Sequence, residues 1–193
     1  EHARSKRNLI VSTGMSTIPE IIDSLGVIAF GLTSSKNQQP KKNSFAKAFR
    51  SKAGQESLLE NVTLLHCVTD YPAAHGDLNL NVIKKFKNEF KMTIGYSDHS
   101  DDIFIPSLAV ACGAELIEKH ITLNQKMKGP DHKASLEPKD FVKMVDQIRE
   151  TENILGLSEK IVTNSEIENR KVSRKSLYAG KVIKEGEMFT KDN

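Results

Sequence analysis

The sequence predicts an α/β fold built on a parallel sheet, and three observations carry that prediction. Four short apolar runs recur along the chain, each followed by a segment with helical spacing of its apolar residues. The second of them, Val62 to Cys67, is almost continuously apolar, as a strand covered on both faces is. Polar residues gather at their C-terminal ends, where α/β proteins place their reacting groups. Strand, helix, strand, helix with right-handed crossovers gives a barrel or an open doubly wound sheet. Four such units amount to half of a (β/α)8 barrel.

The first run, Asn8 to Ser12, leads through Gly14 into a helix that Ser16 or Thr17 can cap, with Pro19 in its first turn. The second, Val62 to Cys67, precedes Leu80, Ile83, Phe86 and Phe90 at helical spacing, with Lys84, Lys85 and Lys87 between them. The third, Met92 to Tyr96, runs into Ser97, Asp98 and His99. A buried, alanine-containing helix from Phe104 to Cys112 follows, stopped by Gly113. The fourth spans Glu115 to Ile121. A last amphipathic helix starts near Glu137 with Pro138 in its first turn, buries Phe141, Val145 and Ile148, and ends at Gly156.

Two segments break the rhythm. Residues 33–57 form a basic insertion, with Lys36, Lys41, Lys42, Lys47, Arg50 and Lys52 but no acidic residue between Lys36 and Lys52. Pro40 and two Gln residues place part of it in a surface loop, and the whole reads as a solvated insertion ahead of the second strand, since no aromatic pattern of a nucleic-acid module accompanies it. Residues 157–193 are polar and then gain Leu177, Tyr178, Val182, Ile183, Met188 and Phe189, which reads as a linker and the opening of a second domain.

Bulk composition narrows the class. At 193 residues the chain supports one core but is short for a whole eight-unit barrel, typically about 250 residues. A net charge of +3 is too small to argue for nucleic acid. Cys67 and Cys112 make no CxxC pair, so neither a disulfide framework nor a zinc knuckle is indicated, and reduced thiols in a cytoplasmic protein are expected. No apolar run reaches the ~18 residues of a membrane span, so no membrane partner is expected. The start at Glu1 resembles neither a signal peptide nor an initiator, and the chain is expected to begin within a larger one.

The chemistry-bearing residues lie at the strand ends: Ser12 and Thr13, His66 and Cys67, Ser97 to His99, and Glu118 to His120. Side chains alternate along a strand, so Ser97 shares a face with His99, and Glu118 with His120. Neighbouring strands lie about 4.8 Å apart, which lets two such imidazoles reach one ion. Two His ligands, with the remaining positions left to water and substrate oxygens, make an open metal site. A hydrogen-bonded structural role is the plain alternative for each. His66 reads as a pocket or core residue. Gly129 and Pro130 force a turn that carries Asp131 over the strand ends, where its carboxylate can orient a hydroxyl or exchange a proton.

Five motifs together give a resemblance. Val11-Ser12-Thr13-Gly14-Met15, Leu64 to Cys67 with Tyr71-Pro72, Gly95 to His99, Ile117 to His120, and Gly129 to Pro138 occur in the order found in the N-acetylneuraminate (sialic acid) synthase family. From about Leu9 onward the chain is similar to the second half of that family's TIM barrel, about its last four βα units, with Arg174 to Asn193 resembling the start of its antifreeze-like (SAF) domain. The resemblance implies a transferase that joins phosphoenolpyruvate to an N-acyl amino sugar, using Mn2+ or Mg2+ held at His99 and His120. It implies that Ser97 lies near phosphoenolpyruvate, that Tyr71 and Thr69 contact the sugar, and that Asp131 binds sugar hydroxyls and serves as the catalytic group. Thr69 stands where relatives carry other polar residues, and Ser100-Asp101-Asp102 departs from the family's usual Thr-Leu-Gly. The family brings its phosphate-binding lysines and an acidic residue from the first barrel half, so these residues alone are expected to be inactive; its antifreeze-like domain reaches into the partner subunit's site, which implies a homodimer for the full-length protein. The alternative is a non-catalytic half-barrel that acts as a binding or assembly module.

Overall fold

The computed structural model describes residues 1–35 and 37–193. The chain divides into two compact units, Glu1–Gly156 and Leu157–Asn193. In the first, β1 (Leu9–Ser12), β2 (Val62–Cys67), β3 (Thr93–Asp98) and β4 (Leu116–Lys119) form one parallel sheet in sequential order. The helices α1 (Ile18–Thr33), α2 (Ser44–Arg50), α3 (Lys52–Asn61), α4 (Asn81–Phe90), α5 (Ile105–Ala111) and α6 (Pro138–Leu155) occupy the connections and the end of this unit. Four parallel βα units in sequential order are a half-barrel, a partial TIM-type architecture.

The register divides the sheet into two faces. Leu64, Ile94 and Tyr96 lie on one, in a core with Ile21, Leu25 and Ala29 of α1, Leu58 of α3, Ile83, Phe86 and Phe90 of α4, and Ile105 and Ala109 of α5. On the other face Cys67 pairs with Ser97, and Ser97 with Glu118. That second face is the concave one, and its residues become polar toward the C-terminal ends. Helix α6 buries Met144 and Ile148 with Leu136, and Phe141 and Val145 pack beside them. Gly156, which caps its C-terminus, takes a positive φ of 51°.

Local signals act where the sequence places them. Thr17 caps α1, and its backbone N–H and hydroxyl both donate to Glu20, at 2.7 Å each. Pro19 and Pro138 sit in first turns, where a missing N–H costs nothing.

The basic insertion corrects the sequence reading. Part of it is irregular, but Ser44–Arg50 and Lys52–Asn61 are helices rather than loop. Ser51 separates them and caps α3 by accepting from the Gly54 N–H at 3.0 Å. Phe45 meets Phe30 of α1 edge to face at 5.5 Å, and Ala48 and Phe49 join the core, so the apolar side chains fold the segment onto α1. A Cβ on Gly26 would meet the Phe45 carbonyl oxygen at 2.9 Å, so glycine permits this close approach. Lys36 lies outside the described residues. The second unit holds α7 (Ile167–Ser173). Among the described residues, no helix is long and apolar enough to cross a membrane.

Candidate functional site

The strand ends bring His99, His120, Tyr71, Ser97 and Glu118 together on the concave side. The centroids of His99 and His120 lie 5.5 Å apart with their planes at 84°. Tyr71 covers both rings, with its centroid 4.3 Å from His99 and 5.7 Å from His120. Both cysteines are free thiols, and Ser12 meets Cys67 at 2.8 Å at the neighbouring strand ends.

His99 is held in one tautomer. Its Nδ1 lies 2.7 Å from the Val68 carbonyl, which can only accept, so Nδ1 carries the proton. Nε2 is therefore the nitrogen with a lone pair. It faces the hydroxyls of Tyr71 and Ser97, each at 3.3 Å. The His99 carbonyl accepts from the Ala73 N–H at 2.9 Å, which ties the loop after β2 to the end of β3. His120 is half-buried, and its ring makes no hydrogen bond among the described residues. Its carbonyl accepts from the Leu136 N–H at 3.0 Å, beside an isolated bridge between Ile121 and Leu136.

That bridge closes the loop after β4, which carries Asp131. Asp131 is exposed at the start of a short 3-10 turn, and its carbonyl accepts the Ser135 hydroxyl at 2.6 Å. Its carboxylate acts on Tyr71: burial, then the charges of Cys67, Asp131 and Glu118, push the Tyr71 phenol above its ordinary value. Tyr71 is thus a protonated donor at neutral pH. Ser97 is buried and donates to Glu118 at 2.7 Å. Thr69 is exposed, and its hydroxyl packs against the loop after β1. A Cβ on Gly14 would lie 2.1 Å from Thr69 Oγ1 and 2.9 Å from Cys67 Sγ, so only glycine lets these loops meet.

Other candidates are occupied elsewhere. His66 lies on the helix-facing side, edge-on to Phe86 at 6.0 Å, with Nε2 donating to the Leu78 carbonyl at 2.7 Å. Burial holds its pKa below the ordinary value, opposed by that bond. Asp102 accepts from the Phe104 N–H at 2.8 Å at the start of α5 and faces His75 at 3.7 Å. It thereby serves the helix start. Asp101 is exposed.

Sequence reading places Glu118 and the pair Asp98 and Lys119 at the strand ends but gives them no role. Asp98 and Lys119 are cross-strand partners on the helix-facing side, bridged at 2.7 Å with side chains 0% and 1% exposed. Burial, and next the Asp98 carboxylate, drive the neighbouring Tyr96 phenol far above its usual range. Among the described residues no cluster of three or more His, Cys, Asp or Glu has metal-holding geometry, so His99 and His120 make at most an open, two-nitrogen site.

Comparison with known proteins identifies the family. Residues 1–160 match the model of the NeuB family. The chain is 40% identical over 191 residues to the N,N'-diacetyllegionaminic acid synthase of Campylobacter jejuni, covering 99% of this chain and 50% of that protein. It is 39% identical over 133 residues to the human N-acetylneuraminate-9-phosphate synthase, covering 68% and 37%. Among solved structures, the N-acetylneuraminic acid (sialic acid) synthetase of Leptospira borgpetersenii in complex with citrate superposes with a TM-score of 0.65 at 34% identity, over 91% of this chain and 53% of that one. The chain spans about half the length of the curated relatives it matches. Its five motifs, its sequential half-barrel and these matches place it in the NeuB family.

Proposed function

We propose that this chain supplies the metal-binding and sugar-binding part of a sugar-acid synthase site. The reaction is the condensation of phosphoenolpyruvate with the open-chain form of an N-acyl amino sugar, N-acetylmannosamine or a close relative. One bond forms between the phosphoenolpyruvate methylene carbon and the sugar aldehyde carbon. Water oxygen bonds to the carbon that carried the phosphate ester, and inorganic phosphate leaves, giving a sialic acid. The observation that carries the reading is the convergence of His99 and His120 beneath Tyr71. The family, and relatives named for the synthesis of such acids, support it.

The ion proposed is Mn2+ or Mg2+, held by two imidazole nitrogens with its remaining positions left to water and substrate oxygens. Two imidazoles bound to one ion through bonds of about 2.1 Å place their centroids no more than roughly 6.5 Å apart. The observed 5.5 Å falls inside that limit. The Nδ1–H bond to Val68 is the outer-shell contact that fixes a ligating histidine and leaves Nε2 to the metal. When bound, the ion supplies Lewis acidity to the aldehyde oxygen.

The remaining steps belong to this chain's own side chains. Tyr71 lays its ring over both imidazoles, sheds water from them and keeps its proton to donate to a sugar oxygen. Asp131 accepts sugar hydroxyls from the loop after β4 and, as the catalytic carboxylate, takes up a proton from the sugar and returns it. Thr69 offers a further hydroxyl to the sugar beside Gly14. Ser97, its proton committed to Glu118, keeps a lone pair and a fixed position beside phosphoenolpyruvate. In the whole protein the assembly is a homodimer.

Paramagnetic broadening tests the reading. With Mn2+ and this chain present, the resonances of N-acetylmannosamine nearest C1 should broaden beyond what free Mn2+ causes. His99→Ala and His120→Ala should each abolish the excess. Equal broadening with and without the chain contradicts the proposal.

A second reading rests on one observation: β1 and β4 each pair on one side only within the sheet. Two such edges suit a half-barrel that assembles with another chain without catalysing anything. Sedimentation separates the two, because an obligate dimer that binds neither Mn2+ nor sugar favours the assembly module.

A further inference from the structure

We infer that the buried ion pair of Asp98 and Lys119 is a positioning clamp that sets the spacing of His99 and His120. The inference rests on the reading that these imidazoles share a metal, and it goes beyond that reading by assigning their placement to a pair on the opposite face of the sheet.

The argument starts from chain position. Asp98 is the last residue of β3 and Lys119 the last of β4, and the two are register partners. Each immediately precedes one imidazole. Alternation turns Asp98 and Lys119 toward the helices and the following histidines toward the concave side. The bridge therefore pins the two backbones at the last point before the rings depart.

The contacts are arranged around His99. One Asp98 oxygen accepts from Lys119 at 2.7 Å, while the other accepts from the Ser100 N–H at 2.9 Å. Lys119 also donates to the Ser100 carbonyl. The carboxylate and the ammonium thus grip the chain on both sides of His99, and Ser100 is fully buried. His120 has no ring hydrogen bond among the described residues, so its placement depends on its backbone, on the neighbouring Lys119 and on ring contacts with Tyr71 and His99. Removing the clamp should loosen His120 more than His99, which keeps its bond to Val68.

A structural role in stability explains the pair poorly. A fully buried ion pair often contributes no more than an apolar pair of the same volume, because desolvation of both charges offsets their attraction. What such a pair does supply is direction. Here the cross-strand pair bonds its two members to each other and both of them to the Ser100 backbone, which ties one register and one backbone separation to the residues flanking His99.

Two readouts on the whole chain test this. The first is the affinity for Mn2+ alone, followed by loss of the free-ion electron paramagnetic resonance signal. The second, recorded without metal, is the nuclear Overhauser contact between the rings of His99 and His120. The double variant Asp98→Asn with Lys119→Met removes both charges and preserves volume. We expect it to keep the wild-type melting temperature, to lose the ring-to-ring contact, and to bind Mn2+ about 10- to 100-fold more weakly, the usual cost of losing an outer-shell support. Asp98→Glu keeps both charges but lengthens one arm; it should weaken the ring contact and lower Mn2+ affinity by at least about threefold, less than the range for outright loss of that support. A ring contact and an affinity unchanged in either folded variant overturn the clamp. Failure of the wild-type chain to bind Mn2+ defeats the metal reading instead, and the metal-free ring contact still decides whether the pair positions the rings.

Discussion

His99 donates its Nδ1 proton to the carbonyl of Val68 at 2.7 Å, and this bond decides which face of the imidazole is available for chemistry. The acceptor lies in the loop after β2 and the donor at the end of β3, so the tautomer is a product of sheet order. Nitrogen-15 correlation spectra of the metal-free chain should show His99 protonated at Nδ1 and bare at Nε2. Protonation at Nε2 in the neutral form would remove the ligand assignment.

Tyr71→Phe separates ring from hydroxyl. The ring contacts with His99 and His120 survive, and the hydroxyl 3.3 Å from His99 Nε2 is lost. Because Tyr71 is 48% exposed, stability should change by less than about 1 kcal/mol. Sugar affinity should fall about 2- to 12-fold, the equivalent of one hydrogen bond of about 0.5–1.5 kcal/mol. Chemical denaturation and sugar titration check the two halves.

Gly14→Ala tests the meeting of the β1 and β2 loops. The new methyl would lie 2.1 Å from Thr69 Oγ1 and 2.9 Å from Cys67 Sγ, so one loop must move. Overpacking of this kind costs about 1–3 kcal/mol. Urea unfolding should show that loss, with weaker sugar binding beside it.

Acidification reports on His66. Its folded-state pKa lies below the unfolded value through burial, so the folded state keeps the ring neutral while the unfolded chain takes up a proton. The contribution to stability is complete above the unfolded pKa of about 6.5 and shrinks as pH falls from there toward the lower folded value. His66→Phe should flatten the stability profile over that interval. An unchanged slope would assign the acid sensitivity to other groups.

Removing one member of the buried pair should be far worse than removing both. Lys119→Met leaves Asp98 charged and 1% exposed, at a cost of about 3–5 kcal/mol. The double variant with Asp98→Asn should recover that loss and melt with the wild type. Thermal unfolding of the three proteins gives the comparison.

Much of this arrangement is legible in the sequence, for identifiable reasons. The run at Val62 to Cys67 contains β2 because a parallel strand under helices is apolar on both faces, whereas β4 shows through Leu116 and Ile117 ahead of its polar end. Thr17 with Glu20, and Pro138 after Glu137, mark helix starts by capping chemistry alone. The helices α2 and α3 are harder to read, since their few apolar residues are diluted by lysines and packing on α1 decides them. Alternation puts Glu118 on the side of His120, but only the register of β3 against β4 sets it opposite Ser97. Asp98 and Lys119 run against pattern altogether: charged residues directed at the helix layer, intelligible once each is seen to neutralise the other.

The central claim is that the imidazoles of His99 and His120 bind one divalent ion together. Electron spin-echo envelope modulation on the Mn2+-loaded chain counts the coordinated nitrogens directly. The account requires two imidazole nitrogens on a single ion, one remaining in His99→Ala and one in His120→Ala. No nitrogen modulation in the wild type, or two nitrogens persisting after either substitution, would contradict it.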